Sequence, residues 1–241
     1  AEDSFYGRAA TDSAYHLSRD TSQEGARKNI SEHYDLGNDF YAEWLDPSMT
    51  YSSALFASDD LSLEEAQHQK YRRIAELAGV TKGSSVLEIG CGWGGFAELV
   101  ARSYGVRVTA LTISREQHDY ASRRIFDAGL SERVEIKLQD YREAAGLYDR
   151  IASIEMIEAV GEAYWPRYFG QLRDRLGPDG RVGIQAITIQ NRLFAEYRRS
   201  VDFIRGYVFP GGMLPAPGVL VDLGRRHELA LAGERVFGHD S

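Results

Sequence analysis

From residue 85 onward the chain alternates between short apolar runs and longer amphipathic stretches. Ser85-Val86-Leu87-Glu88-Ile89 is a compact apolar run that reads as a buried strand. It breaks into Gly90-Cys91-Gly92-Trp93-Gly94-Gly95, after which Phe96-Ala97-Glu98-Leu99-Val100 takes up helical spacing. The same pattern predicts a helix near 95–104, a strand near 107–112, a helix near 115–128, and strands near 134–138 and 149–154. A helix near 163–176 and a strand near 181–189 follow, with Gly177-Pro178-Asp179-Gly180 as the turn between them. Strands alternating with helices imply an α/β fold, a doubly wound and mostly parallel sheet. Ligands in such sheets bind beyond the carboxyl ends of the strands. Those ends carry Glu88 to Gly90, Thr112, Gln139-Asp140, Glu155-Met156-Ile157-Glu158 and Gln185-Ala186-Ile187, so five ends converge on one crevice.

The flanks are less regular. Residues 1 to about 30 are polar and weakly patterned. Phe40, Tyr41, Trp44 and Leu45 fall at helical spacing and predict an amphipathic helix packed on the core, stopped by Pro47. Leu63 to Ala78 is a stronger helix, with Ser62 as N-cap and Glu64-Glu65 in its first turn. Beyond the fifth strand, Phe194 to Phe209 reads as an aromatic-rich helix and Leu229 to Phe237 as a sixth strand. The expected division is an N-terminal helical extension, 1–80, lying as a lid over a catalytic domain, 81–241.

Composition narrows the function. The 241 residues suffice for a full core, and 43% hydrophobic with 27% charged content is ordinary for a globular chain. A net charge of -8 argues against a general nucleic-acid binder, and the basic pairs such as Arg72-Arg73 and Arg123-Arg124 read as solvated helix faces. Cys91 is the single cysteine, which excludes an intrachain disulfide and fits a cytosolic setting. No apolar run approaches the roughly 18 residues of a membrane span, and no signal peptide is visible. A lipid substrate would therefore be met from outside the bilayer.

Two readings compete at the glycine turn. Gly90-x-Gly92-x-x-Gly95 fits a dinucleotide fingerprint, a weak signal by itself. That fingerprint also wants an acid after the second strand, where this chain has Thr112-Ile113-Ser114. The run Glu88-x-Gly90-x-Gly92-x-Gly94 instead resembles motif I of the class I S-adenosylmethionine (SAM) methyltransferases.

Other segments sharpen that resemblance. They are His33-Tyr34-Asp35-Leu36-Gly37-Asn38-Asp39-Phe40, Met49-Thr50-Tyr51-Ser52, Leu111-Thr112-Ile113-Ser114-x-x-Gln117, Gln139-Asp140-Tyr141-Arg142, Glu155-Met156-Ile157-Glu158-Ala159-Val160-Gly161 and Phe209-Pro210-Gly211-Gly212-Met213-Leu214-Pro215. Together they resemble the cyclopropane-fatty-acyl-phospholipid synthase family, which includes the mycolic acid cyclopropane synthases. The resemblance implies a Rossmann-like class I SAM methyltransferase fold with a seventh, antiparallel strand, for which the chain shows no candidate before Ser241. It implies a reaction in which the π electrons of a cis double bond in a phospholipid acyl chain attack the SAM methyl. A base then removes a proton from the new methyl and a cyclopropane closes. It also implies a cytoplasmic enzyme, peripheral at the inner face of the membrane, and a homodimer.

For SAM, the family pattern maps onto Tyr34, Tyr51, Ser52, Gly90, Cys91, Gly92, Thr112 and Gln117, with Gln139 and Asp140 toward the adenine and Tyr141 flanking it. Glu88 either binds the ligand or supports the loop; the Cys91 thiol is structural and no nucleophile. For Tyr34 and Tyr51 the residues alone also allow core packing with a satisfied hydroxyl. The resemblance further implies a bound bicarbonate as the base, held by Cys, Glu, His, a backbone group and Tyr. Glu158 matches the Glu and Ile187 the backbone position, whereas Ser53 stands at the Cys position and Gln185 at the His position. Ser and Gln still donate hydrogen bonds to an anion. Trp165, Tyr168, Phe169, Phe203, Tyr207 and Phe209 are the expected walls of an acyl slot, with an ordinary aromatic core as the alternative.

Alternatives remain open on the sequence. The Ser53 and Gln185 departures allow a methylene- or methyl-branched product instead of a ring. A small-molecule methyltransferase, a non-catalytic SAM-binding protein and a nicotinamide oxidoreductase are more distant readings.

Overall fold

The computed structural model describes residues 21–26, 37–200, 205, 209 and 211–238. Five parallel strands form its centre: β1 (Ser85–Ile89), β2 (Arg107–Thr112), β3 (Val134–Leu138), β4 (Tyr148–Ile154) and β5 (Leu176–Gln185). Their order across the sheet is β3-β2-β1-β4-β5, so the winding reverses between β1 and β4. That reversal opens a crevice at the carboxyl ends, beside the glycine turn.

The helices are α1 (Asn38–Ala42), α2 (Leu63–Ala78), α3 (Gly95–Tyr104), α4 (Arg115–Asp127), α5 (Ile157–Val160), α6 (Trp165–Arg175), α7 (Asn191–Tyr197) and α8 (Pro217–Arg226). They cover both faces of the sheet. Along β1, Val86 packs with Ile74 of α2, Phe96 of α3 and Ile125 of α4, while Leu87 and Ile89 pack with Ile157 of α5, Tyr168 of α6 and Leu223 of α8. The period-2 alternation of a strand assigns these neighbours to opposite faces. Glu88 falls on the Val86 side, beneath α2.

α2 begins in a capping box: Glu65 N donates to Ser62 Oγ at 3.3 Å, and Ser62 N donates to Glu65 Oε2 at 2.8 Å. Its buried stripe, Tyr71, Ile74, Ala75 and Ala78, belongs to the same core as β1 and β4. The stretch before α2 is fixed to it. Asp46 accepts from Ser48 N and Thr50 N, and Thr50 Oγ1 lies 2.9 Å from the Tyr71 hydroxyl.

Several sequence expectations need correction. β5 starts earlier and stops earlier than 181–189. Tyr148 pairs with Leu176 and Arg150 with Arg181, so the predicted Gly177–Gly180 turn is a bulge inside the strand, with Asp179 at φ 57°. Ile187 therefore lies in the loop beyond β5. α6 starts at Trp165, after a 3-10 turn over Glu162–Tyr164. The aromatic helix from Phe194 is α7, which starts at Asn191 and closes at Tyr197; most of 201–210 lies outside the described residues. Leu229 to Phe237 is no strand: Leu231 and Val236 are exposed, and no ladder pairs them. Gly233-Glu234-Arg235 interrupts the apolar run that a buried strand would need. α8 is a further helix, marked in the sequence by Pro217 at its first turn and by Val219, Leu220 and Leu223 at helical spacing. α1 is one short turn and a half; it buries Tyr41, while Phe40 and Trp44 are 48% and 49% exposed.

Candidate functional site

The strand-to-helix turn after β1 is built from left-handed glycines. Gly90, Gly92 and Gly94 have φ of 81°, 52° and 85°, a region open to glycine at little cost. A Cβ on Gly90 would lie 2.7 Å from Met156 Cγ, so this position also needs the missing side chain for space. Gly90 N and Cys91 N both donate to Leu111 O, which ties the turn to the end of β2.

A cavity of about 160 Å3 opens beside this turn. It is lined by Tyr51, Ser52, Glu88, Gly90, Cys91, Gly92, Thr112, Gln117, Gln139, Asp140 and Tyr141, every described residue that the resemblance assigns to SAM. Tyr34 lies outside the described residues. The same cavity is bounded by Met49, Trp93, Glu155 and Met156. Each polar side chain is held by its own local structure. Ser114 caps α4 by accepting from Gln117 N at 3.2 Å, and Thr112 Oγ1 donates to Gln117 Oε1 at 2.8 Å. The Gln117 Nε2 is thereby left to offer a ligand. Asp140 accepts from Arg142 N at 2.8 Å and Arg142 Nε at 2.9 Å, which fixes the 3-10 turn carrying Tyr141. Gln139 Nε2 donates to Glu143 O at 2.8 Å.

Beneath the turn lies a buried charge system that sequence reading missed. Lys70 of α2 is 1% exposed, and its Nζ donates to Ser52 Oγ at 2.5 Å. Gln67 Nε2 donates to Ser52 O at 2.7 Å, so α2 grips both ends of that residue. Burial pulls the Lys70 ammonium down to about 7, against the opposing fields of Glu155, Asp46 and Glu88. Burial likewise pushes the Glu88 carboxyl well up, against Lys70, the Ala97 N–H and Arg124. Glu88 Oε2 is buried without a hydrogen-bond partner and borders the cavity. A ligand N–H would satisfy it, which is one fit between this site and an amino-acid-bearing cofactor. Lys70 did carry a signal: it stands among Gln67, Tyr71 and Ile74 on the stripe of α2 that faces the core. The Cys91 thiol is also pushed up by burial and then by Glu88, so it stays protonated, in keeping with a structural role.

Two of the residues mapped onto bicarbonate, Ser53 and Gln185, meet on a carboxylate of the chain. Ser53 N donates to Glu155 Oε1 at 3.0 Å, Ser53 Oγ bonds the same oxygen, and Gln185 Nε2 donates to it at 2.8 Å. Glu155 holds φ 47°, an uncommon conformation for a residue with a side chain. One turn on, Glu158 Oε1 accepts from Ile187 N at 2.6 Å, while Glu158 Oε2 is buried without a partner. Burial pushes the Glu158 carboxyl up to about 7, opposed by backbone N–H groups and reinforced by Glu155. Of the groups expected to hold bicarbonate, Ser53 and Gln185 are thus engaged by the Glu155 carboxylate and the Ile187 N–H by Glu158.

The described aromatic side chains expected to wall an acyl slot are not among those lining this cavity. Trp165, Tyr168 and Phe169 are 2%, 0% and 3% exposed, packed in the core between the sheet and α8 and absent from the cavity wall. α6 turns this apolar stripe into the core it shares with β1, β4 and β5. Phe209 is 41% exposed and also off the cavity. Phe203 and Tyr207 lie outside the described residues. The aromatics that reach the cavity are Tyr51, Tyr71, Trp93 and Tyr141.

The family model described as Mycolic acid cyclopropane synthetase matches residues 21–240. The chain belongs to this family. It is 44% identical over 216 residues to the tuberculostearic acid methyltransferase UfaA1 of Mycobacterium tuberculosis, covering 86% of this chain and 50% of that protein. It is 41% identical over 186 residues to the cyclopropane-fatty-acyl-phospholipid synthase of Escherichia coli K12, covering 77% and 46%. The chain thus spans about half the length of these curated relatives. Among solved structures, mycolic acid cyclopropane synthase CmaA1 complexed with SAH and CTAB superposes with a TM-score of 0.79 at 28% identity, covering 86% of this chain and 76% of that one. The fold is accordingly that of the class I SAM methyltransferases.

Proposed function

We propose that this chain transfers a methyl group from SAM to the cis double bond of an unsaturated phospholipid acyl chain and closes a cyclopropane. The observation that carries this reading is the cavity at the carboxyl ends of the strands. It brings eleven residues of the family's cofactor pattern beside Glu155. Family membership and the Escherichia coli relative support the lipid substrate.

When bound, SAM supplies an electrophilic methyl group. The protein's part is to bind, orient and exclude water. The left-handed turn at Gly90 and Gly92 lets the backbone approach the ligand. Glu88 and Gln117 offer an acceptor and a donor, and Ser52 is presented rigidly by Lys70 and Gln67. Tyr51 and Trp93 supply aromatic faces against which a cationic acyl chain is stabilised, in a site that keeps water away. The segment before α2 acts as the cover of this site. Access to the acyl chain is peripheral, from the cytoplasmic face of a membrane, through exposed apolar groups such as Phe40 and Trp44. No helix among the described residues is long and apolar enough to cross a membrane.

A second reading keeps the methyl transfer and loses a different proton, giving a methylene- or methyl-branched chain. Ser53 and Gln185 around Glu155 favour it, as does the relative at 44% identity, whose name is that of a fatty-acid methyltransferase. The test is incubation with methyl-labelled SAM and vesicles of cis-unsaturated phospholipid, followed by NMR of the released fatty acids. High-field cyclopropane protons carrying the label support the first reading; labelled olefinic or branched-methyl signals support the second. Absence of label in lipid overturns both.

A further inference from the structure

We propose that Glu155 is the base of the reaction, its carboxylate taking the place of the bicarbonate that the family resemblance implies. This rests on the methyl-transfer reading above. Ser53 N, Ser53 Oγ and Gln185 Nε2 all converge on Glu155 Oε1. Ser53 and Gln185 are two of the positions mapped onto an external anion, and an anion delivered by the chain itself now satisfies their donors. A free bicarbonate would have to displace a tethered carboxylate from three hydrogen bonds and then sit against its charge.

Two further observations agree. Glu155 borders the cavity together with the glycine turn and Tyr51, the cavity that the methyl-transfer reading gives to SAM. Its backbone is held at φ 47°, a conformation that glycine adopts freely and glutamate does not. Glu155 N donates to Gln185 O at 2.9 Å, so the residue is pinned through main chain and side chain by the same partner. With Oε1 occupied by donors, Oε2 is the oxygen that receives a proton.

The step balances. The alkene π pair forms the new C–CH3 bond while the S–CH3 bond breaks and its pair stays on sulfur. A C–H bond of the acyl cation then breaks and the proton passes to Glu155 Oε2. The released pair closes the ring or forms a new C=C, according to which C–H is lost. The neutral Glu155 carboxylic acid returns its proton to solvent after product leaves.

The experiment compares wild type, Glu155→Gln and Glu155→Gly in carbon-dioxide-free buffer, with and without millimolar bicarbonate, reading label transferred to phospholipid vesicles. 13C-bicarbonate line broadening and SAH calorimetry serve as separate readouts of each site. Expected is a wild type indifferent to bicarbonate and without 13C broadening. Both variants fall about 100-fold or more, the scale of a lost general base, with SAH affinity retained. Glu155→Gly opens the donor set, so added bicarbonate broadens in it and restores turnover; Glu155→Gln, whose amide still fills the space, is not rescued. A wild type that loses turnover on bicarbonate removal and regains it on addition overturns the proposal, and does so even should a variant fail to fold. So does undiminished bicarbonate-free turnover by Glu155→Gln. No labelled lipid from wild type under any condition overturns the functional reading itself, and this assignment with it.

Discussion

The main-chain N–H of Ile187 donates to Glu158 Oε1 at 2.6 Å and so fastens the loop beyond β5 to the short helix α5. The other carboxylate oxygen of Glu158 is buried and unpartnered, and burial lifts the acid to about 7. A raised acid pKa contributes stability that is fully present below the unfolded value, near 4.5, and is lost as pH rises through about 7. Wild-type stability to urea should therefore fall between pH 5 and 8 through this group. Glu158→Gln keeps an acceptor for Ile187 and should flatten that slope, with a gain of about 1–3 kcal/mol at pH 8. An unchanged slope would place the buried acid in water.

Lys70 gives the opposite sign. Its folded pKa is lowered from 10.5 to about 7 by burial, so the penalty on its charged form is present below 7 and relieved as pH rises toward 10.5. Lys70→Met should stabilise the fold more at pH 6 than at pH 10, measured by urea unfolding at both. It also frees Ser52 from its 2.5 Å hydrogen bond, so SAH affinity should fall several-fold.

Gly90→Ala combines a disfavoured φ of 81° with a Cβ placed 2.7 Å from Met156 Cγ. Calorimetry should show SAH binding weakened by about tenfold or more, and the fold destabilised by about 1–3 kcal/mol. Adding Met156→Ala relieves the clash but leaves the backbone strain, so it should restore part of the loss. Full restoration would mean that the left-handed turn is not needed.

Trp165 separates core from slot. Its ring is 2% exposed, and its Nε1 donates to Ile157 O at 3.2 Å. Trp165→Ala should cost about 3–5 kcal/mol of stability. The folded fraction should keep its lipid KM; a selective rise in KM with stability intact would return Trp165 to the substrate wall.

The parts of the fold legible in the sequence are those with a short-range cause. β1 to β4, α3 and α4 follow from apolar periodicity, and the α2 start follows from the Ser62 and Glu65 capping pair. β5 was misplaced because a bulge at 177–180 resembles a turn until a neighbouring strand pairs across it. The predicted sixth strand failed for a related reason: an apolar run becomes a strand only with a partner, and none pairs with 229–237 among the described residues. For Trp165, Tyr168 and Phe169 the sequence leaves slot wall and aromatic core both open, because spacing gives the face of a helix but not what lies opposite it; the structure sets them in a core with α8.

By itself, then, the sequence determined the doubly wound α/β order, the glycine turn and the cofactor-type residues at the strand ends. Helix and strand periods and left-handed glycines are properties of consecutive residues. Only the tertiary structure decided that Lys70 is buried beneath Ser52, and that Ser53 and Gln185 close on Glu155. Those partners lie 18, 102 and 30 residues apart, and their meeting depends on which strands neighbour one another. A carboxylate needs donors within about 3 Å, a distance set by packing and not by spacing along the chain.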